Sequence, residues 1–176
     1  MLLKYWSNNF YLGLLIFLIS AVSLSGALLS QYGFNMHPCL LCLYQRGPHA
    51  INLLLGILAL STAIKYPKFS CAVVFTASIA FLLGGIIATY HVGVEQLWWH
   101  GFEGCSFPKV EQGDFEGFKN ALLGAPVTSC TDIPFELFGI SMAGYNALLS
   151  LGSAAFFFIG SILSIRRING VLEIKN

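Results

Sequence analysis

Four apolar stretches, each long enough to cross a bilayer as a helix, leave this chain very few folds. They run over about Phe10–Leu29, Leu43–Ile64, Ser70–Tyr90 and Ile140–Ile165, and Arg46 is the only charged residue in any of them. A helix needs about 20 residues to cross roughly 30 Å of hydrocarbon. In lipid the backbone must satisfy its own hydrogen bonds, so each stretch reads as a helix. The expectation is an all-α membrane protein. It is a four-transmembrane-helix bundle, a single integral membrane domain over 1–176, with a long outer loop over about 91–139 between helices three and four. Composition agrees: 10% of the residues are charged, against about 25% in soluble domains. A net charge of +1 and the lack of a basic patch argue against a nucleic-acid partner.

The first stretch has a competing reading as a cleaved signal peptide, since Lys4 precedes it and small residues follow at Ser23–Ala27. It exceeds the roughly 7–15 residue signal core and lacks an A-x-A site, so a retained helix is expected. Ser20, Ser23, Gly26 and Ala27 then read as a close-packing face. Gly84, Gly85, Gly144, Gly152 and Gly160 allow the same reading.

Orientation follows from lysine and arginine. Lys4, Lys65, Lys68, Arg166, Arg167 and Lys175 fall on one side, and Arg46, Lys109 and Lys119 on the other. The first side is expected to be cytoplasmic, with both termini. Within "VEQGDFEGFKNALLG" of the outer loop, Phe115, Phe118 and Leu122 recur at helical spacing. This is either an amphipathic helix on the membrane surface or a helix packed on its own loop. Trp98 and Trp99 suit the interfacial belt beyond helix three.

Four crossings put Cys39 and Cys42 on the same membrane face as Cys105 and Cys130, whichever way the protein inserts. On the outer face disulfides can persist. Cys71 falls at the opposite end and reads as a small buried hydrophobe. A Cys-x-x-Cys can be a redox pair, half a zinc site or a structural disulfide. The second pair is 25 positions apart, unlike a zinc knuckle, and haem attachment would need a histidine where Leu43 stands. The redox reading gains from context. Cys42 lies where helix two begins, in the positive field of its N-terminus. Arg46 is one turn on, sharing its face. Both favour the reactive thiolate, and an arginine at membrane depth is a functional candidate. The alternative is an Arg46 that snorkels to head groups. No dinucleotide turn is present, so a membrane quinone is the natural electron acceptor. His91, at the end of helix three, is either a partner for a quinone oxygen or an interfacial histidine. Tyr44 and Tyr90 read as interfacial or packing residues rather than catalysts, and nothing singles out His37, His49 or His100.

These residues resemble the DsbB family of quinone-linked disulfide bond formation proteins. "PCLLCLYQR" is similar to that family's helix-two motif and "YHVGVEQ" to its helix-three exit. "GCSF" and "SC" bracket its long loop, and "LFGISMAGYNALLSL" is similar to its fourth helix. The resemblance covers about Phe10–Arg167. It implies a bacterial inner-membrane enzyme with a quinone cofactor, ubiquinone or menaquinone. It also implies a relay. A periplasmic thioredoxin-fold (DsbA-like) thiol oxidase attacks a Cys105–Cys130 disulfide at Cys105. Cys130 then attacks Cys39, and Cys42 leaves as a thiolate beside Arg46 and the quinone, with His91 near. Two other readings stand beside it. A vitamin K epoxide reductase-like enzyme also has four helices and two cysteine pairs, but its Cys-x-x-Cys follows the loop pair, the reverse of the order here. A non-enzymatic four-helix scaffold would use both disulfides as staples.

Overall fold

The computed structural model describes residues 9–102, 105 and 128–175, with side chains up to 170. Four helices carry almost all of it: α1 (Asn9–Gly33), α2 (Leu40–Thr62), α3 (Pro67–Glu95) and α4 (Met142–Lys175). The possible amphipathic helix around Phe115–Leu122 lies outside the described residues.

Three helices, α1, α3 and the Met142–Gly170 part of α4, are long and apolar enough to cross a membrane. α2 falls short on composition because Gln45, Arg46, His49 and Asn52 interrupt it. Outward faces are apolar along the bundle, with Val22, Leu54, Leu83 and Leu148 all exposed. Such a surface suits lipid and would be a liability in water.

Each helix packs mainly on its chain neighbours, α1 on α2, α2 on α3 and α3 on α4. Small residues set the spacing. A Cβ on Gly56 would lie 2.8 Å from the Phe17 backbone nitrogen, and one on Gly13 would lie 3.0 Å from Ala59 Cβ. Gly85 gives way to Leu151, and Gly84 to Pro48. The small face expected on α1 divides in two. Ser20 is fully buried, but a Cβ on Gly26 would touch nothing. Gly26 and Ala27 border a cavity instead of a neighbouring helix. Gly152 likewise faces open space.

Below the cavity, Leu12, Ile16, Ala59, Val74, Phe81 and Phe157 form the main core. Phe81 and Phe157 stack with centroids 5.5 Å apart. At the end where α1 begins, the Asn9 amide donates to the Pro67 carbonyl at 2.7 Å, and Ser164 donates to Asn9. Cys71 is buried nearby, and its thiol donates to the Ser161 carbonyl at 3.2 Å. That matches the small-hydrophobe reading, far from the other cysteines.

Of the boundaries that differ from the sequence expectation, three bear on the site. α2 starts at Leu40, ahead of its apolar stretch, and Pro48 sits inside the helix. It denies the Tyr44 carbonyl its amide partner, and its ring fits against Gly84. α3 runs on to Glu95 and carries His91 inside the helix. The last turn closes with Leu97 in the left-handed region at φ 58°, and Trp98 donates back to the Gly93 carbonyl at 2.9 Å. Trp99 folds over Gly93, where a Cβ would collide with the indole. It stacks on Tyr90. α4 begins at Met142 rather than Ile140. Glu136–Leu137 and Ile140–Ser141 pair as a short antiparallel hairpin, so the described residues are not entirely helical. Phe138 and Gly139, both at positive φ, make its turn.

Candidate active site

Cys39 caps α2. Its sulfur accepts from the Cys42 amide at 3.2 Å and lies 2.7 Å from the Cys42 sulfur. The cap exists because Pro38 and the extended Cys39 backbone (ψ 171°) stop the helix there. Cys39 is buried, and Cys42 is half-exposed on the first turn. The hydrogen bond to Cys42, together with burial, pushes the Cys39 thiol well above the ordinary cysteine range. Cys39 therefore keeps its proton when the pair is reduced, and negative charge falls to Cys42. A measurable consequence is that a maleimide added at neutral pH to the reduced protein should modify Cys42 at least about tenfold faster than Cys39, read by mass spectrometry.

Cys105 and Cys130 form a disulfide. It lies against the first pair: Cys39, Leu41, Val94, Cys105 and Cys130 make one buried cluster. Both loop cysteines are at most 1% exposed. The two pairs thus meet at one end of the bundle, as the parity of the crossings leads one to expect. A loop disulfide standing free in solvent is not what is found, because Val94 at the α3 end and the Gly101 backbone pack over it.

A cavity of about 290 Å³ opens beside Cys42 between α1, α2 and α4. Its walls are mostly apolar, among them Val22, Leu24, Met142 and Leu149, with Cys42, Arg46, His49, His91 and Glu95 as polar points. Arg46 is half-buried. Its guanidinium donates to Gln31 Oε1 at 2.6 Å and to the Ala27 carbonyl at 3.3 Å. Both acceptors lie near the C-terminal, negative end of α1, where a cation is favoured. Arg46 thus shares the cavity with Cys42, while its hydrogen bonds go to α1. His91 is 3% exposed. Its Nε2 is 3.5 Å from Cys39 Sγ and 3.8 Å from Glu95 Oε1. Its Nδ1 is 2.8 Å from Gln45 Nε2.

Cys39, Cys42 and His91 offer three ligand atoms within 4.8 Å of one another. Two thiolates on one tetrahedral zinc, with bonds of about 2.3 Å, stand roughly 3.7 Å apart. The group supplies three ligands, one short of the four that a closed structural zinc site takes.

Four residues at this site escaped the sequence reading: Glu95, Gln45, His49 and Asn146. Glu95 is buried and accepts from Ser141 Oγ at 2.5 Å. The signal was present for some of them. Cys42, Gln45, Arg46 and His49 follow an i, i+3, i+4, i+7 stripe through an otherwise apolar helix, and His91 and Glu95 are i, i+4.

A bundle of apolar helices with a buried dithiol, a neighbouring disulfide and a polar-pointed cavity at one end defines a membrane thiol oxidoreductase. The chain matches the model of the disulfide bond formation protein DsbB family over residues 9–160. It belongs to that family. It is 32% identical over 154 residues to a protein of Rickettsia prowazekii (strain Madrid E), covering 86% of each chain. It is 30% identical over 148 residues to disulfide bond formation protein B of Xanthomonas campestris pv. campestris (strain 8004), covering 80% of this chain and 83% of that one. The corresponding protein of Xanthomonas axonopodis pv. citri (strain 306) is 28% identical over the same length. No solved structure matches the chain.

Proposed function

We propose that this protein re-oxidises a periplasmic thioredoxin-fold thiol oxidase of the DsbA type. In this reading electrons pass from that partner through Cys105–Cys130 and then Cys39–Cys42 to a membrane quinone, ubiquinone or menaquinone. The reading places the chain in the bacterial inner membrane with four crossings, α2 included. Both termini are cytoplasmic and both cysteine pairs periplasmic. The observation that carries it is the meeting of both pairs in one buried cluster that borders a cavity holding Arg46 and His91.

The exchange steps balance. A partner thiolate attacks Cys105 Sγ; that bond forms, the Cys105–Cys130 bond breaks, and Cys130 leaves as a thiolate. Cys130 attacks Cys39 Sγ, which joins it and releases Cys42 as a thiolate. The partner's second thiolate closes its own disulfide and frees Cys105. Cys105 attacks Cys130, which restores the loop disulfide and breaks the Cys130–Cys39 bond. The reduced Cys39–Cys42 pair, when its two sulfurs rejoin, gives up two electrons and its protons to the acceptor.

The cavity suits a quinone head group. Small-molecule sites begin at roughly 300 Å³, and they are mainly apolar with a few placed polar groups. This one measures about 290 Å³, and His49 Nδ1, on its wall, is a buried polar atom with no protein partner. When bound, a quinone supplies the acceptor for the two electrons and two protons. Arg46 holds positive charge beside Cys42, and apolar walls keep water from the thiolate. Cys39 holds its proton until its sulfur is needed.

The relay is tested with purified protein in detergent, ubiquinone or menaquinone, and a reduced thioredoxin-fold oxidase at low concentration. Quinone absorbance should fall with wild type. With Cys105→Ser it should fall at least about a hundredfold more slowly. Unchanged turnover in Cys105→Ser would sink the relay.

A further inference from the structure

Gln45, Asn146 and His49 lie beside the proposed relay and take no step in it. They form one hydrogen-bonded chain across α2, α3 and α4. His49 Nε2 lies 2.8 Å from Asn146 Oδ1, and the same oxygen accepts from Ser150 Oγ at 3.1 Å. Asn146 Nδ2 donates to Gln45 Oε1 at 2.6 Å. Gln45 Nε2 then reaches His91 Nδ1 at 2.8 Å. His49, Gln45 and His91 are each at most 6% exposed, so water has little access to compete.

The chain has a direction. A primary amide has one accepting oxygen and one donating nitrogen. Asn146 spends its oxygen on His49 and Ser150, so its nitrogen faces Gln45 and donates. The Gln45 oxygen is thereby taken, and its nitrogen must donate to His91 Nδ1. A neutral imidazole carries one N–H, and a nitrogen that accepts cannot hold it. The proton is left on Nε2. The other side of the ring agrees, because Nε2 faces two acceptors, Cys39 Sγ at 3.5 Å and Glu95 Oε1 at 3.8 Å.

We infer that Asn146, acting through Gln45, is a positioning residue that fixes the tautomer of His91 with its proton on Nε2, directed at Cys39. A donor there holds in place the sulfur that Cys130 attacks in the proposed relay, while the negative charge of that exchange falls to the leaving Cys42. The inference rests on that relay only for its use; the tautomer is a property of the protein alone. Polar residues that merely satisfied one another would tolerate either direction of the chain. A positioning device tolerates one.

The test is the ¹⁵N spectrum of imidazole-labelled protein in detergent, without quinone. The four histidines are sorted by the signal lost in His91→Phe. Wild type should show His91 with Nε2 protonated and Nδ1 bare. Asn146→Asp keeps the shape but cannot donate to Gln45. The Gln45 amide should then turn its oxygen to His91 and move the proton to Nδ1. Gln45→Glu should likewise put a proton on Nδ1, by direct acceptance. Either variant is judged with helicity and the Cys105–Cys130 disulfide intact, and the second serves where the first does not fold. A wild-type His91 protonated on Nδ1 would overturn the inference. So would a His91 signal that ignores whichever variant folds. Quinone reduction by the same wild-type sample is followed in parallel. Its absence would count against the proposed activity and leave the tautomer result standing.

Discussion

Cys42→Ser is expected to abolish quinone reduction, at least about a thousandfold, while leaving one round of partner oxidation intact. A hydroxyl can fill the space of Cys42 but cannot close a disulfide with Cys39, which lies 2.7 Å away sulfur to sulfur. The buried Cys105–Cys130 disulfide does not depend on Cys42, so it should still accept electrons from one partner dithiol. A reduced thioredoxin-fold oxidase mixed with the variant should therefore be oxidised to about one equivalent and then stop. Wild type should continue until the quinone is spent. Two results would speak against electron exit at Cys42. One is continued turnover in the variant. The other is loss of the first equivalent from a protein whose loop disulfide is shown to be intact.

Gly56→Leu carries the second large effect. A Cβ there already meets the Phe17 nitrogen at 2.8 Å and its Cα at 2.9 Å. Both are backbone atoms, so no rotamer change relieves the contact and α1 must move as a unit. Overpacking of this kind costs about 3 kcal/mol. The damage should also reach the cavity, because α1 supplies the Gln31 and Ala27 acceptors that hold Arg46. The thermal midpoint in detergent should drop, and the quinone KM should rise with it. Gly152→Leu is the control. Its Cβ would meet nothing within 4 Å, so a midpoint near wild type is expected. Equal losses in the two variants would show that the α1–α2 contact is not what Gly56 protects.

Much of the helix order could be read from the sequence because hydrocarbon is an unforgiving solvent. Apolar runs near 20 residues have few other fates, and the first three helices stand near their expected places. The ends were less legible. α3 runs past its apolar stretch to Glu95 and is closed by Leu97 in a left-handed conformation that the residue type does not announce. The hairpin at Glu136–Ser141 is too short to leave a periodic signal. At the site, Cys39, Cys42, Arg46 and His91 were visible through cysteine spacing and the oddity of charge in an apolar run. Gln45 and His49 share the α2 stripe and could have been found with Arg46. Asn146 could not. Its partner Gln45 is 101 positions away, and an amide inside a fourth apolar helix has no local mark to show what it faces. Helix packing alone brings the two together.

The burial of the loop disulfide has a consequence for selectivity. If the proposed relay carries oxidising power through the cell envelope, it would short-circuit wherever any thiol could touch it. Cys105 and Cys130 are at most 1% exposed, shielded by Val94 and the Gly101 backbone. Small thiols such as glutathione find no bare sulfur to attack, since exchange depends on access as well as on thiolate supply. In the proposed relay the docking partner would shift this cover and expose Cys105. The packing then acts as insulation, holding the driving force for the one plug shaped to fit.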